Sequence, residues 1–142
     1  MRQQIHNFLT KSDEIDCESL IPTPKELQSE QEIIAWRSKN WGTRYGVLVE
    51  YNKDKDCYYL STNDSPPEPI IHALSNMFPG EHPGEVIFSY RYSEEAGAFK
   101  GMYIVTQGWP LASVWAEWED CLVNESANDA YYNFANLVEK VL

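Results

Sequence analysis

The sequence predicts an α+β fold in which helices pack on one face of a ferredoxin-like antiparallel sheet. The first observation is the order of the predicted elements, which runs β, α, β, β, α, β, β, then an extra strand or helix, and then a helix. The second is that short segments join neighbouring strands, whereas parallel strands need long crossovers. With 142 residues, 43% of them apolar, the chain can fill one core, and we expect residues 1–142 to form a single domain.

The first two predicted elements are a short strand and a helix. Residues 5–10 form an apolar run that favours a strand. Residues 24–38 are predicted to be helical because Thr23 is a suitable N-cap and Pro24 suits the first helical position. Glu26 follows Thr23 at the spacing of a capping box, which places the start of the helix here.

A hairpin and a second helix come next. Residues 46–51 and 57–62 are two β-rich runs, and the five polar residues between them predict a hairpin. Apolar side chains recur at helical spacing over residues 70–78, after a proline-rich turn. Because Pro79 and Gly80 then stop the pattern, we expect a helix that ends before them and buries its apolar face.

Strands and a closing helix are predicted for the last part of the chain. Residues 85–93 alternate between two sets of side chains, and residues 99–106 form another β-rich run. Residues 111–122 fit either a strand or a helix, and we favour a strand that continues the meander. A helix from residue 128 would close the fold.

The charge of the chain restricts its partners. Asp and Glu number 22 against 11 Lys and Arg, which gives a formal net charge of −11. Phosphate backbones and anionic lipids repel such a domain, so we expect no direct binding to nucleic acid or membrane. No apolar run suits a signal peptide or a membrane-spanning helix, and we expect a cytoplasmic protein.

Familiar catalytic and metal-binding patterns are missing from the sequence. The three cysteines and three histidines are scattered, so neither a disulfide framework nor a zinc site is indicated. There is no nucleophile elbow, phosphate-binding loop or dinucleotide fingerprint. Cys57 or Cys121 could act as a nucleophile beside a histidine, but an inert thiol is the simpler interpretation. We expect no catalytic activity, metal or cofactor.

Four parts of the chain occur in an order that resembles a known family. They are residues 21–27, residues 40–45, residues 65–69 with 74–79, and residues 92–101. This order is similar to that of the YubB-type ferredoxin-like domain family, which is found in phages, prophages and plasmids. The resemblance implies a ferredoxin-like fold and a mobile-element origin. It implies no catalytic residues, because members of the family generally have no established activity.

The hexamer at residues 40–45 has two interpretations. As a ligand site, its indole, guanidinium and phenol would stack on a base or hold a carboxylate or phosphate. As a structural element, Gly42 would end a helix in the left-handed conformation and Trp41 would anchor the core, while Arg44 would bond to the Ser-Pro-Pro loop. The candidate ligand-binding residues are Trp41, Thr43, Arg44 and Tyr45.

The last third of the chain is both acidic and aromatic. Residues 101–139 contain six Asp and Glu and no Lys or Arg, which indicates either a solubilising surface or a face that docks on a basic partner. The candidate partner-binding residues are Trp115, Glu117, Trp118, Glu119, Asp120, Glu125 and Asp129.

Charge, resemblance and the lack of catalytic patterns together predict an interaction protein of a mobile element. We expect it to inhibit, by stoichiometric binding, a host protein with a basic nucleic-acid-binding surface, such as a CRISPR-Cas component. One alternative is a small enzyme or ligand-binding module that uses residues 40–45. Another is a regulatory homodimer formed through exposed aromatic side chains.

Overall fold

The structure, a computed structural model, describes residues 1–63, 65–82, 84–93, 99–107 and 109–117. Four helices and five strands lie in this part of the chain. In chain order they are α1 (Arg2–Leu9), α2 (Cys17–Leu20), α3 (Glu30–Asn40), β1 (Leu48–Asn52), β2 (Cys57–Ser61), α4 (Glu68–Met77), β3 (Phe88–Ser93), β4 (Phe99–Thr106) and β5 (Trp109–Glu117). The protein is therefore a mixed helix and strand fold of the α+β class.

The strands form two antiparallel sheets. One contains β1 and β2, and the other has the order β3-β4-β5. A ferredoxin-like domain has a single sheet, whereas the described residues form two, so the structure supports the broader α+β class only. The described residues contain no helix long and apolar enough to cross a membrane.

The prediction of a strand at residues 5–10 is wrong, because residues 5–9 belong to α1 and Thr10 is its C-cap. Ile5, Phe8 and Leu9 are spaced by three and four residues, which places them on one face of a helix. Leu9 is buried in the main core, and Ile5 and Phe8 pack against it. A short apolar run fits either element, and packing decides between them.

The helix expected at 24–38 is found, but it starts and ends later. Helix α3 begins at Glu30, and its capping box is formed by Ser29 and Glu32. The predicted cap Thr23 instead donates from its main-chain N–H and its hydroxyl to the carboxylate of Glu18, over 2.8 and 2.6 Å. Two sites in the sequence match the capping pattern, one at Thr23 and one at Ser29. The first does not cap a helix, because Thr23 is hydrogen-bonded to Glu18 of α2.

The predicted hairpin is confirmed. Tyr51 pairs with Tyr58 in the β1–β2 register. Residues 13–15 add to the outer edge of β1, where Ile15 N–H donates to Val47 O over 2.9 Å and Val49 N–H donates to Asp13 O over 2.8 Å. Residues 13–15 are thereby fixed to the hairpin.

The second helix and the strands after it also agree with the sequence. Helix α4 ends at Met77, just before Pro79 and Gly80. Strand β3 alternates as expected between half-buried and exposed residues. Strand β5 begins at Trp109, two residues before the strand favoured for 111–122, and agrees with it as far as residue 117. Residues 118–122 and the helix expected from residue 128 lie outside the described residues.

Helix α4 connects two clusters of buried side chains. Its Ile70 and Leu74 belong to the larger cluster, which also contains Trp41 and Val47. Its Ile71 packs in a second cluster with Val105 of β4. The larger cluster holds the loop between α3 and β1, which contains residues 41–45 of the hexamer, and residue 40 ends α3.

Candidate functional site

Trp41, at the end of α3, is part of the core. Only 3% of its surface is exposed. Its indole Nε1–H donates to the main-chain carbonyl of Ile21 over 2.8 Å, and the guanidinium carbon of Arg37 lies 4.5 Å from its ring centroid. The ring therefore joins α3 to the segment that follows α2.

The next two residues of the loop are held closely against the chain before α4. Gly42 has a φ of +79°, in the left-handed region, and a Cβ there would lie 2.8 Å from the carbonyl oxygen of Pro66. Thr43 has no exposed surface. A side chain at position 42 has neither the backbone conformation nor the space it needs.

Arg44 and Tyr45 are on the surface. Tyr45 is 43% exposed, and the guanidinium carbon of Arg44 lies 5.8 Å from the centroid of its ring. Of the four candidate ligand-binding residues, these two are accessible, whereas Trp41 and Thr43 are buried. Contact between this loop and a ligand would therefore depend on Arg44 and Tyr45.

A cavity of about 410 Å³ lies beside α2, and Trp41 is the one candidate ligand-binding residue that lines it. Its charged lining consists of Lys11, Glu14, Asp16, Glu18 and Arg37. Glu18 pairs with Arg37 over 3.1 Å. Sequence analysis missed this cavity because it is formed by residues from several separate elements.

Two carboxyl groups of the cavity are held in their ionised form. Asp16 accepts hydrogen bonds from the hydroxyl and the main-chain N–H of Ser19, which lower its pKa. For Glu18, partial burial favours the neutral form, but hydrogen bonds from Thr23 and Arg37 outweigh it and lower the pKa. Both groups are therefore anionic at neutral pH.

The thiol in this cavity is buried and held in its neutral form. Cys17 is 4% exposed, and burial raises its pKa to about 11. With this pKa, Cys17 is a neutral thiol at physiological pH. The thiolate is the nucleophilic form, so Cys17 is a poor nucleophile. Of the two cysteines considered as nucleophiles, Cys57 is partly exposed in β2, and Cys121 lies outside the described residues.

A second acidic region, near the start of the chain, is exposed in the structure. We call residues 13–32 the N-terminal acidic segment. It contains one lysine and seven acidic residues, of which all but the half-buried Asp16 are exposed: Asp13, Glu14, Asp16, Glu18, Glu26, Glu30 and Glu32. The sequence shows this segment as a run of acidic residues, but the last third of the chain is aromatic as well as acidic and was therefore favoured as the docking face.

The predicted acidic and aromatic face lies mostly outside the described residues. Trp115 and Glu117 are in β5, where they pair with Gly101 and Phe99 of β4. The other five candidate residues, Trp118, Glu119, Asp120, Glu125 and Asp129, fall beyond residue 117. The docking role of this face stays a prediction.

In the part of the chain that the structure describes, no group of three or more His, Cys, Asp or Glu side chains could hold a metal ion.

Comparison of the chain with protein-family models, with curated proteins and with solved structures finds no match, and the resemblance to the YubB-type family stays a prediction.

Proposed function

We propose that the chain is an interaction protein of a phage or another mobile element and that it binds a basic, nucleic-acid-binding surface of a host protein. It acts as a stoichiometric inhibitor in the host cytoplasm, and a defence protein such as a CRISPR-Cas component is the expected kind of target. The proposal includes no catalysis, no cofactor or metal, and no direct contact with nucleic acid or membrane. It retains the ferredoxin-like assignment for the domain.

The observation that carries the proposal is the N-terminal acidic segment. Six of its carboxylates are exposed on the described surface. Hydrogen bonds from Ser29 and Gln28 lower the pKa of Glu32, just as local hydrogen bonds do for Asp16 and Glu18. Residues 13–15 of the segment are also tied to β1 by main-chain hydrogen bonds, so the charges of Asp13 and Glu14 are presented from an ordered position.

An ordered anionic surface can compete with nucleic acid for the same site. A protein channel that is built for phosphates has a positive potential, which attracts carboxylates over distances of about 10 Å at about 0.1 M salt. Complementary charge of this kind raises the association rate and excludes partners of the wrong sign. Binding of this type weakens as salt is added.

The experiment uses the full chain as bait in a nuclease-treated host lysate and compares three variants with the same change in net charge. One neutralises acids of the N-terminal acidic segment, one neutralises acids of the predicted C-terminal face, and one is a control on other surfaces. The N-terminal variant is Asp13→Asn with Glu26→Gln and Glu30→Gln. The C-terminal variant is Glu117→Gln with Glu119→Gln and Asp120→Asn. The control is Glu50→Gln with Asp54→Asn and Glu81→Gln.

We expect the parent chain to retain a basic protein that is released as NaCl rises from about 0.1 M to about 0.5 M, because the charges are then screened. The purified partner should lose nucleic-acid binding at one equivalent of the chain. The N-terminal variant should bind more weakly than the control. The proposal fails if no basic partner is recovered or if all three variants lose binding equally.

The rivals are distinguished by the same material. A regulatory homodimer predicts a mass near twice 16.4 kDa in light scattering, whereas a monomeric inhibitor has the mass of one chain. A ligand-binding module that uses residues 40–45 predicts that Arg44→Gln and Tyr45→Ala abolish binding to the partner or ligand. Neither change removes a carboxylate, so the docking model predicts little effect of either.

A further inference from the structure

A second cavity, of about 390 Å³, lies between α1 and the β1–β2 hairpin. We propose that it binds a small ligand in which a planar ring is joined to a phosphate group, as in a nucleoside monophosphate. Six lining residues carry the argument: Arg2 and His6 from α1, and Tyr51, Lys53, Asp56 and Tyr58 from the hairpin. The inference is independent of the proposed protein docking.

Three aromatic rings form one wall of the cavity. The His6 and Tyr51 centroids are 4.7 Å apart with the planes at 74°, and the Tyr51 and Tyr58 centroids are 5.0 Å apart. Tyr51 and Tyr58 are also cross-strand partners, so the hairpin register brings them together. All three side chains are half-buried and line the cavity, which provides a surface on which a planar ring can stack.

Polar groups accompany the rings. His6 Nδ1 lies 2.8 Å from the hydroxyl oxygen of Tyr58, and this contact orients the imidazole. Because the Tyr58 hydroxyl occupies Nδ1, a ligand oxygen would form its hydrogen bond with Nε2 of His6. The wall therefore combines stacking surface with a hydrogen-bonding group, as a ligand with a ring and polar substituents requires.

The charges of the lining favour an anion in spite of the net charge of −11. Asp56, the one carboxylate among the described residues of the lining, is engaged by an ion pair with Arg2 and by the hydroxyl of Tyr51, which donates to it over 2.7 Å. Lys53 adds a second cation. Because the Arg2 guanidinium is already paired with Asp56, the lining has a net charge of +1, and the Lys53 ammonium is the group that would meet a phosphate.

The hairpin turn places only some of its charged residues at the cavity. Residues 53–56 alternate lysine and aspartate, but of the four only Lys53 and Asp56 line the cavity. Asp56 has a φ of +51°, a left-handed conformation that Asp tolerates better than most residues. The Asp56 carboxylate pairs with Arg2, and Lys53 is the other cation that lines the cavity.

The test is calorimetric titration of the full chain with adenosine 5′-monophosphate, uridine 5′-monophosphate, adenosine and inorganic phosphate. At least one nucleotide should bind with a Kd below about 1 mM and about tenfold more tightly than adenosine or phosphate alone. The His6 ring resonances should shift on binding. The proposal is overturned if neither nucleotide binds in this range, or if inorganic phosphate binds as tightly as the nucleotides.

Three variants locate the binding. Lys53→Gln and Tyr58→Phe should each weaken nucleotide binding by about fivefold or more, since each removes one polar group from the lining. Lys25→Gln makes the same change in charge on the exposed N-terminal acidic segment and should leave the Kd within about twofold of the parent value. Circular dichroism confirms that each variant is folded. Equal affinities for Lys53→Gln and the parent would place the ligand elsewhere and overturn the proposal.

Discussion

The indole Nε1–H of Trp41 donates a hydrogen bond to the main-chain carbonyl of Ile21 over 2.8 Å. This bond joins the end of α3 to the residue that follows α2, across 20 positions of the sequence. The same ring packs in the main core and carries the guanidinium of Arg37. The most distinctive residue of the hexamer at 40–45 is thus part of the framework around the first cavity.

The substitution Trp41→Phe removes the donor and part of the ring. We expect a loss of about 2–4 kcal/mol in the free energy of unfolding, because a part-buried carbonyl loses its partner and core volume is lost. Urea unfolding followed by circular dichroism measures the change. The control is Trp36→Phe, at a half-buried ring 6.3 Å from that of Trp41, and it should cost clearly less. Equal losses would contradict the role of the hydrogen bond.

Gly42 and Gly84 separate two effects of an added methyl group. Both have a positive φ, +79° and +78°, but a Cβ at Gly42 would meet the carbonyl of Pro66 at 2.8 Å, whereas one at Gly84 meets nothing within 4 Å. Gly84→Ala should cost about 1 kcal/mol, from backbone conformation alone. Gly42→Ala should cost at least about 2 kcal/mol, since main-chain atoms must also move. Thermal and urea unfolding test this, and a Gly84→Ala loss as large as that of Gly42→Ala would contradict it.

Ser29 caps α3, and Ser38 lies on the exposed side of the same helix. Ser29→Ala should destabilise the protein by about 1 kcal/mol, because the N–H of Glu32 loses its acceptor. Ser38→Ala should change stability by less than about 0.5 kcal/mol, since alanine favours the helix interior. Unfolding free energies from urea titration decide the matter. If the two serines prove equivalent, the helix does not start at Ser29.

Cys17 should respond to alkaline pH. Its folded pKa of about 11 is higher than the ordinary thiol value, so the fold favours the protonated form. The associated stability is complete below about pH 8.5 and is lost as pH rises through 11. Unfolding measured between pH 8 and 11 should show a steeper decline for the parent chain than for Cys17→Ala. Parallel curves would show that the fold does not raise the pKa of Cys17.

Alkylation provides a second measurement on the same thiol. In a Cys121→Ser background, iodoacetamide at pH 8 should modify the partly exposed Cys57 before the buried Cys17. Mass spectrometry of the peptides gives the two rates, and denaturant should abolish the difference. Faster modification of Cys17 in the folded chain would contradict the burial seen here.

Local patterns predicted the elements whose signals lie within a few residues. The hairpin follows from two β-rich runs and a polar turn, and α4 follows from prolines, helical spacing and a stop at Pro79 and Gly80. The start of α3 was misplaced because two capping patterns compete, and only the contact between Thr23 and Glu18 decides which is used. Residues 5–10 were misassigned for a similar reason, because a short apolar run takes the conformation that its core neighbours favour.

The cavity residues were harder to predict. His6 and Tyr58 are separated by 52 positions, and no spacing in the sequence associates them. Nor does the sequence indicate that Arg37 stacks on Trp41 and pairs with Glu18, although the acidic run in the N-terminal segment was visible as composition.

The sequence by itself determined the α+β class, the β1–β2 hairpin, the helix at α4 and the excess of negative charge. These properties depend on composition and short-range periodicity, which a single segment contains. The tertiary structure alone decided that Trp41 and Thr43 are buried while Arg44 and Tyr45 face solvent, and that α1 meets the hairpin around His6 and Tyr58. Those outcomes depend on packing between residues far apart in the chain, where the burial of apolar surface and the pairing of polar groups are settled together.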